Sequence, residues 1–274
     1  MSIVSATNPH RVEDLERALE DVEGARHVAM QVLQLTDDPY ADARKVAAAI
    51  EQDPIFVTQV LRVANSAAFG MARQVKATQI AVAILGFSTV RSMAVMAVSG
   101  LSDLKHPAPV GFWEHSASTA AACTLIARRY GISPSDGFAI GLIHDLGIPM
   151  LNAVDPVTYG DITRDGADNR LLAEREAEEF GMSHAKAAEI VLSNWQFPEL
   201  LISAIGNHHR EEPLETPESM LLFAGDALAH LALEESDGKD KARLKQLGFK
   251  SGDISRLVGE IGGKSGGILA GLLR

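Results

Sequence analysis

Apolar residues recur at helical spacing through most of the chain, from Val12 to Leu35, Ala43 to Glu51, Ile55 to Ala64 and Thr78 to Leu101. The same period resumes from Phe112 to Tyr130, Pro134 to Leu146, Leu171 to Glu179, Ser183 to Trp195, Pro198 to His208 and Pro217 to Glu235. No run alternates between apolar and polar positions as a half-buried strand does, so the pattern predicts an all-α protein. The breaks have chemical causes. Pro39 and Pro54 stand where helices begin, Asp53 before Pro54 and Thr216 before Pro217 make N-cap and first-turn pairs, and Asn65-Ser66 with Gly70 ends a helix. Pro107 and Pro109 stop the long Thr78–Leu101 segment and predict a seam near residues 104–111.

This punctuation predicts four parts: an N-terminal arm (1–19), an N-terminal helical bundle subdomain (20–106), a C-terminal helical domain on which it packs (107–235), and a linker with a C-terminal helical extension (236–274). Ser236-Asp237-Gly238-Lys239-Asp240 reads as the linking turn, and Ile254 to Leu273 as one or two short helices interrupted by glycine. Gly263 to Leu273 reads as flexible, with Ile268, Leu269, Leu272 and Leu273 free to dock on the domain or on a partner.

Composition narrows the class. With 274 residues and 46% of them hydrophobic, the chain can bury a core for one large or two modest domains. The net charge of -11 comes from acids scattered along the sequence, which argues against a nucleic-acid partner. Cys123 is the only cysteine, so no internal disulfide or multi-cysteine zinc site can form, and a cytoplasmic location is expected. The start, MSIVSATNPHRVEDLE, has neither the apolar core of a signal peptide nor a glycine at position two, and reads as a short, partly disordered arm. Ile80 to Leu101 reaches membrane-spanning length but carries Ser88, Thr89, Arg91, Ser92 and Ser99. A central arginine is costly in lipid, so a buried helix and no membrane span are expected.

Candidate chemistry gathers in the second half. His115, His144-Asp145, His184, His208-His209 and Asp226 each fall on a predicted helix or at its end. Helices of a bundle can direct such side chains into one cavity, where imidazole and carboxylate are ligands for Zn, Fe, Mn or Ni. His184 follows Ser183 at a helix start, where the positive end of the helix dipole keeps the ring neutral and able to bind metal. Singly, each has a plainer reading as a satisfied polar residue. His230, four residues after Asp226, shares its helix face. A second candidate, Gly259-Glu260-Ile261-Gly262-Gly263-Lys264-Ser265, looks like a phosphate-binding loop, but Val258 occupies the place of the required first glycine and no strand precedes it.

The order H…HD…H…HH…D, with Gly141-Leu142-Ile143-His144-Asp145-Leu146-Gly147 around the HD pair, resembles the HD superfamily of metal-dependent phosphohydrolases. That ordering has no place for His230, which stays outside the expected ligand set. A closer resemblance, over about residues 20–235, is to the HDOD family, in which an all-helical N-terminal half precedes a degenerate HD-like domain. The residues that carry it are Ile50-Glu51-Gln52-Asp53-Pro54, Val60 to Gly70, Ala81 to Gly86, Trp113-Glu114-His115-Ser116, Glu176, Phe180 to Ala185, Trp195-Gln196-Phe197-Pro198 and His208-His209.

The resemblance implies a bacterial signal-transduction output or scaffold module that acts through a protein partner or a small ligand. It implies one or two divalent ions, Fe, Mn or Zn, held by His115, His144, Asp145, His184, His208, His209 and Asp226. The alternative is a metal-dependent phosphohydrolase acting on a nucleotide or cyclic dinucleotide, with His144 and Asp145 at the reaction; a third is a nucleotide sensor without turnover. In the HD-GYP family, which hydrolyses cyclic di-GMP, a lysine stands where this chain has Ile148. That family's Gly-Tyr-Pro is replaced here by the segment Arg210-Glu211-Glu212-Pro213-Leu214, whose acids repel a phosphodiester. Arg210 or Lys186 remains as a candidate phosphate clamp. These departures point away from an enzyme.

Overall fold

Pro54 and Pro217 open helices as the sequence pattern expects, whereas Pro39 lies in a turn and the following helix starts at Ala43, capped by Asp42. In the computed structural model, which describes residues 27–98, 108–164, 169–213, 215–236 and 238–273, every regular element is helical. The N-terminal arm, the start of the first expected helix, Leu101 and residues 104–107 of the expected seam lie outside the described residues. In chain order the helices are α1 (His27–Asp37), α2 (Ala43–Ile50), α3 (Pro54–Ala64), α4 (Thr78–Val98), α5 (Phe112–Ile126), α6 (Pro134–Ile143), α7 (Gly147–Val154) and α8 (Pro156–Thr163). They continue as α9 (Asn169–Phe180), α10 (His184–Asn194), α11 (Glu199–Gly206), α12 (Pro217–Leu233), α13 (Asp240–Gln246) and α14 (Ser251–Leu272). Asp53, Ser133, Asp155, Ser183 and Thr216 each cap a first turn by accepting from a backbone N–H. Asn65, expected to end α3, also clamps the following loop, bonding both the N–H and the carbonyl of Val75.

Helix α5 is central. Its run of Ala, Ser and Thr is buried nearly all round, and it packs against α6, α12 and α14. Glycines on the partners make the approach close. A Cβ on Gly141 would lie 2.6 Å from Thr119 O, and one on Gly225 would lie 2.3 Å from Cys123 Sγ. Cys123 is therefore a packing residue, buried, with its thiol pushed far above the usual range by burial and by Asp226.

Three features depart from the expectations. The apolar run from Thr78 is not one straight helix, because Gly86 (φ 75°, ψ 162°) breaks α4. The break admits Ser135, whose Oγ donates to Leu85 O and contacts Thr89 Oγ1 at 3.1 Å. Among the described residues, the two apolar segments long enough to cross a membrane, Thr78–Val98 and Pro134–Val154, are mostly buried inside the protein. Secondly, α7, α8 and α13 lie where no helix is expected. Thirdly, the C-terminal segment is one continuous 22-residue helix that its glycines do not divide. Ile268 and Leu272 dock on the protein as expected, while Leu273 stays exposed. The phosphate-loop lookalike falls inside this helix, and Lys264 donates to Ala67 O at 2.8 Å.

Arg91 is buried on α4 and joins distant parts of the chain. Its guanidinium pairs with Asp37 at the end of α1, donates to Trp195 O at 2.6 Å and lies 4.3 Å from the Phe197 ring centroid. Burial lowers its pKa to about 10, which leaves it charged at neutral pH.

Candidate metal centre

The seven expected residues come from five places in the fold. His115 is on α5, His144 and Asp145 end α6, His184 opens α10, His208 and His209 follow α11, and Asp226 is on α12. Glycine again sets the approach, since a Cβ on Gly147 would lie 1.9 Å from His184 O and hold α10 away from the HD turn. The structure brings all seven together. Asp145 sits between two groups. Its Oδ2 is 3.3 Å from His144 Nε2 and 3.5 Å from His115 Nε2, and its Oδ1 is 3.2 Å from His208 Nε2 and 3.5 Å from His184 Nε2. Asp226 Oδ1 closes the first group, 3.1 Å from His115 Nε2 and 3.8 Å from His144 Nε2. His209 Nε2 closes the second, 2.5 Å from His184 Nε2.

Two backbone carbonyls and one buried carboxylate fix the tautomers of three rings. His144 Nδ1 faces Gly141 O at 2.9 Å, His208 Nδ1 faces Ile205 O at 2.6 Å, and His184 Nδ1 faces Glu176 Oε2 at 2.6 Å. Carbonyl and carboxylate oxygens only accept, so the proton sits on Nδ1 and each Nε2 presents a lone pair to the cavity. Metal-binding histidines are oriented in this way. Glu176, quoted in the sequence only as part of a motif, is fully buried; it also accepts from the His184 N–H at 2.7 Å and from Tyr159 Oη at 2.6 Å.

The electrostatics are those of a ligand cage. Burial opposes ionisation of Asp145 and Asp226, yet the surrounding histidines hold both carboxyls well below the usual range, His144 foremost for Asp145 and His230 foremost for Asp226. Burial and the neighbouring His208 and His184 lower the pKa of His209, favouring its neutral, metal-binding form. His184 moves the other way: burial would lower its pKa, but Glu176 outweighs it. Asp145 Oδ1, His208 Nε2 and Asp226 Oδ1 are shut off from solvent and make no hydrogen bond. Orphaned buried ligand atoms aimed at one another fit a bound cation, and imidazole with carboxylate is a borderline donor set for Fe, Mn or Zn. Three overlapping ligand groups emerge among the described residues: Asp145 with His184, His208 and His209; Asp145 with His115 and His144; and His115 with Asp226 and His230.

Sequence reasoning left His230 aside, but the structure places it in the cluster. Its ring stacks on His115 with centroids 5.0 Å apart, and its Nε2 lies 3.5 Å from Asp226 Oδ1. The i, i+4 spacing from Asp226 was the signal that could have found it. Lys186, the candidate phosphate clamp, is instead paired with Glu189 at 2.7 Å.

Comparison with known proteins agrees with this architecture. The chain is 22% identical over 227 residues to an uncharacterized protein of Treponema pallidum (strain Nichols), covering 81% of this chain and 44% of that one. It therefore spans less than half the length of that relative. A Shewanella amazonensis SB2B protein provisionally named a phosphohydrolase superposes with a TM-score of 0.69 at 22% identity, over 93% of this chain and 98% of its own. A Marinobacter aquaeolei VT8 protein provisionally named for signal transduction superposes with a TM-score of 0.67 at 21% identity, over 98% of this chain and 66% of its own. At such identities these likenesses establish a shared fold. The HDOD domain profile matches residues 25–211, ending before Asp226, so the chain belongs to the HDOD family.

Proposed function

We propose that the chain is a signal-transduction output module that keeps a two-ion metal centre and acts by binding a protein partner or small ligand rather than by turnover. One observation carries this reading. Among the described residues, every cationic group within 4 Å of Asp145 or Asp226 is a histidine; no lysine or arginine reaches either carboxylate. Hydrolysis of a phosphodiester calls for cationic or donor groups on the oxygens where charge develops. Here Ile148 is apolar, Lys186 is engaged by Glu189, and Arg210 is exposed beside Glu211 and Glu212.

In this reading His115, His144, Asp145 and Asp226 would hold one ion, and Asp145, His184, His208 and His209 would hold the other. When bound, Fe, Mn or Zn would supply Lewis acidity and would order five separate elements around one point. A signalling protein in the cytoplasm is the expected partner, with a nucleotide or cyclic dinucleotide as the small-ligand alternative. Convergence of the full ligand set favours a second reading, a metal-dependent phosphohydrolase acting on those same nucleotides.

The test loads untagged protein with Fe(II), Mn(II) or Zn(II), measures metal per chain, and then follows nucleotides and cyclic dinucleotides by calorimetry and by product formation. Metal uptake without product is expected. Product formation that disappears in Asp145→Ala replaces the module reading with the phosphohydrolase one.

A further inference from the structure

His230 repeats, on the other side of the cluster, the arrangement seen at His184. There a buried carboxylate, Glu176, holds Nδ1 while Nε2 faces the cavity. At His230, Nδ1 lies 3.6 Å from Asp240 Oδ2 and Nε2 lies 3.5 Å from Asp226 Oδ1. Asp240 opens α13, yet it is only 1% exposed. Its Oδ1 is held by Arg243 Nη1 at 3.0 Å, and its Oδ2 makes no hydrogen bond. A carboxylate placed behind an imidazole is the usual support of a metal-binding histidine. On the cavity side, the stacked rings of His115 and His230 bring both Nε2 atoms to Asp226 Oδ1, at 3.1 and 3.5 Å. The three residues offer ligand atoms within 4.8 Å of one another.

We infer that His230 is an eighth metal ligand, bound to the ion shared by His115 and Asp226, with Asp240 as its positioning residue. The inference rests on the metal-centre reading above. It gives one ion His115, His144, Asp145, Asp226 and His230, and the other Asp145, His184, His208 and His209. A further protein donor on that ion would take a position otherwise open to water or a substrate oxygen, in keeping with a centre that binds rather than reacts. Asp226, His230 and Asp240 all lie beyond residue 211, where the family match ends.

Co(II) is the probe, because its visible absorption reports the number of ligands and its uptake is measured without any activity. Full-length wild type, His230→Ala, His230→Gln and Asp240→Asn are loaded and titrated with a competing chelator, with far-UV circular dichroism as the check on folding. His230→Ala and His230→Gln are expected to weaken one Co(II) by at least about tenfold and to alter its absorption bands, leaving the other ion unchanged. Asp240→Asn is expected to weaken the same ion by about 10- to 100-fold, the range for a lost supporting partner. Folded variants with wild-type Co(II) affinity and spectrum overturn the role of His230 alone. A wild-type chain that takes up no Co(II) overturns the metal-centre reading, and this inference with it.

Discussion

Glu176 shows how much of the site depends on one side chain that binds nothing itself. Its two oxygens satisfy the His184 N–H, the His184 ring and the Tyr159 hydroxyl, all inside the protein. Glu176→Gln keeps the shape but removes the charge that raises the His184 pKa against the pull of burial. Metal affinity is expected to fall by about 10- to 100-fold while the helical circular dichroism spectrum is kept, as measured by chelator competition. Unchanged affinity would show that the backbone alone orients His184. The seven candidate ligands were legible in the sequence because their order along the chain is itself a pattern. Glu176, Asp240 and His230 were not assigned roles, because what they do depends on which helix ends meet in space. Asp240 in particular sits in a segment that reads as a solvated turn and becomes buried only when α13 folds back on α12.

Helices were legible wherever apolar residues ran for three turns or more, and capping residues gave their starts: Asp53, Ser183 and Thr216 all cap as expected. Glycine was the residue whose meaning the sequence could not decide. Gly86, embedded in an apolar run, looks tolerable inside a helix and instead breaks α4, at φ 75° and ψ 162°, a region open almost only to glycine. The glycines of α14 look like breaks and do not interrupt it, because tertiary packing supplies what propensity withholds. Gly271 even favours the packing, since a Cβ there would lie 2.7 Å from Val63 Cγ2. The two cases separate by experiment. Gly86→Ala must strain the backbone and also place a Cβ 2.6 Å from Ser135 Oγ. A loss of about 1–3 kcal/mol is expected from the backbone alone, read as a lower urea midpoint with an unchanged m-value. A midpoint equal to wild type would mean that α4 can straighten and that the break does not hold α6 in place.

Two connections tie the first helices of the chain to those that carry the candidate ligands. Arg91 joins α1 and α4 to the turn after α10, and α14 lies across α3, α5 and α12, two of which carry candidate ligands. Backbone carbonyls at its C-terminal end accept from α3, Ala270 O from Arg62 and Leu272 O from Gln59 at 3.0 Å. The sequence divided the chain near residue 107 and set the tail apart as an appendage. It could not show that the tail spans the division, because amphipathic spacing records which face of a helix is buried and not what covers it. If α14 couples the two halves, a cavity in its contact should weaken both together. Ile268 is fully buried there, and Ile268→Ala is expected to cost about 2–5 kcal/mol, as large-to-small core changes do. The prediction concerns cooperativity as much as magnitude. Urea unfolding followed by far-UV circular dichroism, which reports every helix, should coincide with tryptophan fluorescence, which reports Trp113 on α5 and Trp195 after α10. Coincident transitions, shifted together in the variant, are expected. If the dichroism of the variant lost part of its signal before the fluorescence moved, the early helices would be unfolding alone, and α14 would be a cover on the half that carries the candidate ligands rather than the strap that unites it with the rest.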